Sequence, residues 1–332
     1  MRVFIFEYLS SGMAGHSAPH SSLDAEGGAM LRALLSDFGS LDGVEATTLL
    51  DPRWRERTAR WPANVETHIP PSGLEQRTFD ALAAEADWAL VIAPEFEGIL
   101  ARLAGRVEAV GGRLLGPSPN AIQCSADKAF MLSRWYQANV SIPAASTEYP
   151  LVYKPRFGAG SQATFLIHND CEMARAERGR IEEGWHGEML RQPYIRGLPA
   201  SVAFLAGPSR MLALPAVEQR LSSEGRFHYL GGRLPLPPRL DLRARALAER
   251  AARAVEGWFG WFGVDLILGS NEDGSSDFAI EINPRLTTSF LGLRRLARFN
   301  LAEAMLAIAA DSDPPRWEWH RETLSFDVTH PE

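Results

Sequence analysis

Cysteine is almost absent from this 332-residue chain: Cys124 and Cys171 are the two, and they form no Cys-x-x-Cys pair. That excludes a disulfide scaffold and a thiolate zinc site, and it points to a reduced compartment. No uninterrupted apolar stretch approaches the roughly 18 residues that a membrane span needs. The opening Met1-Arg2-Val3-Phe4-Ile5-Phe6-Glu7 has one basic residue and an apolar run shorter than a signal-peptide core, closed by an acid. It reads as a first β-strand. Positive charge is scarce too: the net charge is -7 at pH 7, which leaves no broad basic surface for nucleic acid. The expectation is a cytoplasmic protein that engages neither membrane nor nucleic acid, whose partners are small polar molecules and, if it assembles, copies of itself.

Lysine is the most informative scarcity. Of 34 basic side chains two are lysine, Lys128 and Lys154, and the other 32 are arginine. Such drift leaves lysine either by chance or where a compact ammonium is needed instead of a planar fork.

With 45% hydrophobic residues the chain can bury a sizeable core, and its length suits two or three domains. Up to about residue 116, short apolar runs alternate with helical patterns: strands at 2–7, 45–50, 88–93 and 113–116, helices at 25–38, 75–85 and 96–109. That alternation predicts a parallel sheet with covering helices. Ligands of such sheets sit at the carboxyl ends of strands, which singles out Glu7-Tyr8 and Pro94-Glu95-Phe96-Glu97; solvated loop acids are the alternative reading. His16 and His20 lie in a Gly- and Ser-rich stretch with no partner at ligand spacing and read as loop residues.

Gly116-Pro117-Ser118-Pro119 marks a change of domain. Beyond it the pattern predicts a helix over 126–138, strands at 151–155, 163–167, 188–195, 200–206 and 210–217, and a polar loop containing Gly231-Gly232. A helix from 241 to about 258, a hairpin and a last helix near 301–310 complete the chain. The expected division is an α/β domain over 1–116, a central lobe over 117–195 and a C-terminal lobe over 196–332.

Two constellations carry chemistry. Lys154-Pro155-Arg156-Phe157-Gly158-Ala159-Gly160-Ser161-Gln162-Ala163 contains Gly-x-Gly-x-x-Ala, but a strand-like Thr164-Phe165-Leu166-Ile167 follows it where a dinucleotide fingerprint opens a helix. It reads as strand, loop, strand, whose amides can fold over phosphate oxygens while Lys154 adds its charge. An ordinary glycine hairpin is the plainer alternative. No Gly-x-x-x-x-Gly-Lys-Ser/Thr occurs, so the chain is not a P-loop protein.

The second is the hairpin Val264 to Leu268, a turn at Asn271-Glu272-Asp273-Gly274, and Phe278 to Asn283. Asp265 and Glu281 lie equally far from Asp273, so a symmetric hairpin makes them cross-strand neighbours about 5 Å apart, with Asn283 on the same face. Val264, Leu266, Ile280 and Ile282 are expected to face the core. Two carboxylates that close favour a cation between them, and an oxygen-only set suits Mg2+, or Mn2+, completed by water and phosphate. Arg285 stands beside it, placed to hold a phosphoryl group.

These residues stand in the order and spacing of the ATP-grasp superfamily, which the chain resembles over about 116–310: Lys128 in Ala-Asp-Lys, Lys154 with its glycine loop, Gln192-Pro193-Tyr194-Ile195-x-Gly197, Asp265, and Glu281-Ile282-Asn283-Pro284-Arg285. The resemblance implies ATP held between two α+β lobes. Adenine would lie against Gln192, Pro193, Tyr194 and Ile195, and phosphates under Lys128, Lys154, Gly158, Gly160 and Ser161. Asp265, Glu281 and Asn283 would hold magnesium, with Arg285 and Lys154 in catalysis. Leu198-Pro199-Ala200 has no acid where many members place one for the ribose. Within the superfamily the Phe-Glu-Tyr start, Ala93-Pro94-Glu95 and Asn-Pro-Arg-Leu-Thr-Thr-Ser look most like the tyramine-glutamate ligases of methanofuran biosynthesis and their bacterial relatives. That implies phosphorylation of a glutamate γ-carboxylate and attack by the amine of tyramine or tyrosine, as in methylofuran. Glu7, Tyr8, Glu95, Thr287, Thr288 and Ser289 are the substrate candidates. A dipeptide or glutamate-adding ligase, a kinase and a nucleotide-binding sensor are the alternatives.

Overall fold

The computed structural model describes residues 1–15, 22–54, 61–143 and 146–328; His16 and His20 lie outside them. In chain order the elements are β1 (Arg2–Glu7), α1 (Ser22–Phe38), β2 (Glu45–Leu49), β3 (Val65–His68), α2 (Glu75–Glu85), β4 (Trp88–Ile92), α3 (Ile99–Ala109), α4 (Pro119–Ala126), α5 (Lys128–Gln137), β5 (Leu151–Pro155), β6 (Phe165–Ile167) and α6 (Asp170–Glu182). There follow β7 (Met189–Pro193), β8 (Leu198–Ala206), β9 (Met211–Ala213), β10 (Val217–Leu221), β11 (Tyr229–Leu234), α7 (Pro238–Ala252), β12 (Gly260–Leu268), β13 (Phe278–Asn283), α8 (Ser289–Leu296), α9 (Leu301–Ala309) and β14 (Leu324–Asp327).

Three sheets result. β3-β2-β1-β4 is parallel throughout, and β1 and β4 are apolar on both faces, as strands covered on two sides must be. A small antiparallel sheet runs β6-β5-β7, and a large one runs β13-β12-β8-β10-β11-β14 with β9 against β8. One core joins the first sheet to the third: Val3, Ile5, Leu31 and Leu34 belong to the same buried cluster as Leu205, Leu234, Phe290 and Met305. Polar contacts seal that junction, with Arg294 on Asp37 and Asn300 Nδ2 on the Asp37 carbonyl at 2.8 Å.

Several boundaries depart from the sequence pattern for identifiable reasons. The strand expected at 113–116 is a single bridge, Leu114 to Ala89, before the prolines end pairing. The helix expected from 96 starts at Ile99, because Glu97 and Gly98 sit at φ 54° and 63°. The helix expected to run to about 258 stops at Ala252, where Trp258 folds back and donates Nε1 to the Ala252 carbonyl at 2.8 Å. Gly231 and Gly232, expected in a loop, lie in β11: a Cβ on Gly231 would stand 2.0 Å from the Phe326 carbonyl of β14, so only glycine admits that neighbour.

Candidate active site

β12 and β13 pair with Asp265 opposite Glu281 and Gly263 opposite Asn283. A bulge after Asp265 shifts the register so that Leu266 faces Ala279. The bulge corrects one expectation: Ala279 joins Val264, Leu266 and Ile282 in the core, whereas Ile280 turns with Glu281 onto the wall of a cleft between the small and large sheets. Asp265 accepts hydrogen bonds from Gln219 Nε2 at 3.1 Å and Asn283 Nδ2 at 2.9 Å. Burial, then the Glu281 charge, push its pKa up. Burial also opposes ionisation of Glu281, but Lys128 and Lys154 outweigh it and hold that carboxyl below its usual range. Among the described residues no three His, Cys, Asp or Glu side chains gather as a metal cluster. The donor set here is two carboxylates and an amide, which fits a hard divalent cation that takes its remaining ligands from phosphate and water.

Both lysines enter this cleft. Lys154, near the end of β5, is buried, and desolvation lowers its pKa to about 8 against the pull of Glu281. Lys128 opens α5. Its Nζ donates to the Gly158 carbonyl at 2.8 Å and lies 3.5 Å from Glu281 Oε2. Asp127 caps that helix by accepting from the amides of Ala129 and Phe130, and takes two further bonds from Arg156 at 2.7 and 2.6 Å. The Arg156 bond holds the Asp127 pKa down and the start of α5 in place. In the glycine loop, Gly160 adopts φ 64° with Leu23 of α1 packed where a Cβ would be, and Ser161 Oγ donates to the Phe227 carbonyl at 2.7 Å. Gln192, Pro193, Tyr194 and Ile195 line the other end of the cleft. Among the described residues Gln192 Nε2 is buried without a partner; an unmet donor costs about 1–3 kcal/mol unless a ligand acceptor reaches it, which fits a base bound there.

Arg285, Thr287, Thr288 and Ser289 also line the cleft. Arg285 Nε lies 2.8 Å from Glu95 Oε1; Glu95 is buried and Arg285 half-buried. Thr287 Oγ1 accepts from Trp261 Nε1 at 3.1 Å and shares a 2.7 Å bond with Ser289. Glu7 accepts from the amides of Leu9 and Ser10 at 3.0 and 2.7 Å, and burial raises its pKa to about 7. Tyr8 packs against the core behind β1 and β4. Neither Glu7 nor Tyr8 is on the cleft wall, and Glu95 reaches it through Arg285. Wall residues without a sequence motif are Leu23, Glu26, Ser201, Gln219, Phe227 and Tyr229. Gln219 could have been read from the alternation of β10; an acid in the first turns of a helix, such as Glu26, gives no such signal.

The ATP-grasp domain family matches residues 125–289, and the pre-ATP-grasp domain family matches residues 44–122. The chain belongs to the ATP-grasp superfamily. Among curated relatives, the tyramine–L-glutamate ligase of Methanocaldococcus fervens is 26% identical over 314 residues, 94% of this chain and 95% of the relative. Among solved structures, an ATP-grasp superfamily protein from Archaeoglobus fulgidus superposes with TM-score 0.72 at 22% identity, over 96% of this chain and 90% of that one. Biotin carboxylase from Campylobacter jejuni gives 0.71 at 17% identity, over 96% and 73%. The ATP-grasp domain therefore covers the glycine loop, the segment from Gln192 to Ile195 and the acid hairpin. ATP-grasp proteins bind ATP with a divalent metal.

Proposed function

We propose that this ATP-dependent carbon–nitrogen ligase phosphorylates the γ-carboxylate of glutamate and joins the acyl group to the amine of tyramine or tyrosine, in the cytoplasm, for a methanofuran- or methylofuran-type cofactor. One observation carries the ligase chemistry: Asp265, Glu281 and Asn283, with Arg285 beside them, share a single cleft with Lys128 and Lys154. The substrates rest on the likeness to the tyramine–L-glutamate ligase, which runs nearly the whole length of both chains.

In this reading Gln192 to Ile195 hold the adenine, and Lys128, Lys154 and the loop of Gly158, Gly160 and Ser161 hold the phosphates. Asp265, Glu281 and Asn283 would hold magnesium, which when bound would supply positive charge against the phosphates. Arg285, fixed by Glu95, presents a guanidinium to charge that develops on the transferring phosphoryl group. The carboxylate oxygen attacks the γ-phosphorus and ADP leaves. The amine, as its free base, then attacks the acyl carbon, inorganic phosphate leaves with the carboxylate oxygen, and the nitrogen gives up one proton, which the departing phosphate can take. Residues 1–116 serve as the substrate-side domain, 117–195 and 196–332 as the two lobes that exclude water.

The test is ADP release with ATP and magnesium, with glutamate and tyramine or tyrosine together and singly, and mass spectrometry of the product. Release that needs both substrates and yields the γ-glutamyl amide is expected. Release with glutamate and a different amine would move the substrate assignment elsewhere in the superfamily, and none with any pair would sink the ligase reading.

A further inference from the structure

Three carboxylates line the cleft: Asp265, Glu281 and Glu26. The first two are engaged with each other, Lys128, Gln219 and Asn283. Glu26 stands apart from them. It projects from α1, and its Oε2 accepts from Thr288 Oγ1 at 2.9 Å. Among the described residues no cation lies within ion-pair distance of it; Arg285, whose charge it feels, is paired with Glu95. Burial raises the Glu26 pKa, opposed by the Thr288 bond and by the Arg285 charge. Phe227 and Tyr229 line the same cleft, and the Glu26 charge reaches the Tyr229 phenol.

We infer that Glu26 is the subsite for a primary ammonium group of the substrate, its free oxygen receiving the N–H donors while Thr288 fixes the other. The inference rests on the ligase reading, which requires an amine in this cleft. A half-buried carboxylate with a single hydroxyl donor is incompletely satisfied, and an ammonium supplies both the missing charge and the missing donors. The Tyr229 ring, whose phenol feels the Glu26 charge, suits an amine on an aromatic body. The ammonium has two sources in that reading: the attacking amine, and the α-ammonium of the acid. Glu7 is closed off by the amides of Leu9 and Ser10, and Glu95 by Arg285, so neither competes for this role.

The test measures binding by calorimetry to the full chain saturated with magnesium and a non-hydrolysable ATP analogue. Tyramine, glutamate and glutarate, which lacks the ammonium, are the probes, against wild type and Glu26→Gln. Loss of a charge-assisted bond is expected to weaken at least one ammonium-bearing probe about tenfold or more, with glutarate and the analogue unchanged. Weakening of tyramine assigns the attacking amine; weakening of glutamate assigns the α-ammonium. Affinities within about twofold of wild type for both, or an equal loss for glutarate, would overturn the subsite. Should Glu26→Gln fail to bind the analogue, Glu26→Asp, which keeps the charge, carries the same comparison with a smaller loss expected. Intact binding differences with no amide formed by wild type would remove the proposed reaction and leave the subsite standing.

Discussion

The sheet that bears Asp265 and Glu281 and the sheet that bears Lys154 face one another across the cleft, yet they are built to different depths. The large sheet is backed by two extensive cores, one of them shared with the parallel sheet. The small sheet rests on five buried side chains, Leu151, Tyr153, Ile167, Met173 and Ala176. At its edge it is tied to the body by polar contacts: Ser161 to the Phe227 carbonyl, and Arg226 to the Thr164 carbonyl at 2.9 Å and to Glu183 at 2.6 Å. In the proposed reading, the residues that would hold a metal and a transferring phosphoryl group thus sit on the deep body. The glycine loop and Lys154 ride on the thin lobe, whose small core is the kind of element from which closing parts are drawn.

The largest effect should come from the body. Glu281→Ala removes half of the carboxylate pair, the carboxylate nearest Lys128 and the larger of the two that act on Lys154; turnover should fall on the order of 10²-fold or more, with circular dichroism unchanged. An active Glu281→Ala would break the assignment of the metal to this hairpin.

The next lies in the parallel sheet and is read by pH. The folded pKa of Glu7 is raised from 4.5 to about 7, so between those values the native state holds a proton that the unfolded chain has released. Stability from this group is fully present below about pH 4.5 and is lost as pH rises through 7, by up to about 3 kcal/mol. Thermal melts of Glu7→Gln should therefore be flatter than wild type over that window, and parallel curves would show that Glu7 is not the linked group.

Smaller effects belong to the lobe. Gln192→Leu removes the unpartnered amide and should weaken ATP about tenfold in a nucleotide titration, with the melting temperature maintained or raised. Ser161→Ala removes one tie to the body and should cost about 1 kcal/mol against local opening. Hydrogen exchange should register this over 158–166 in the ATP-free protein and much less with nucleotide bound; equal exchange in lobe and body would contradict the comparison itself.

The same contrast explains what could be read from the sequence. Asp265, Glu281, Asn283 and Arg285 lie on one hairpin, so symmetry about its turn places them together; the pairing of Asp265 with Glu281 needs no distant information. The bulge that turns Ile280 into the cleft does, because it depends on how β12 fits β8 across the full register from Leu198 to Ala206. Lys128 stood out because lysine is so rare here, although its bond to Gly158 and its approach to Glu281 belong to tertiary structure. Glu26 carried no signal at all. It meets Thr288 from 262 positions away in the chain, and local periodicity cannot report a contact of that kind. The short strands β3 and β14 escaped for a related reason: each lies at a sheet edge with a mixed pattern, and its partner strand defines it.

The central claim is that a carboxylate is activated as an acyl phosphate in the cleft between lobe and body. It is tested most directly with glutamate carrying 18O in its γ-carboxylate, ATP, magnesium and the amine. One labelled oxygen transferred to inorganic phosphate for each amide formed is the expected result. Phosphate released without label, or label recovered in AMP, would contradict it.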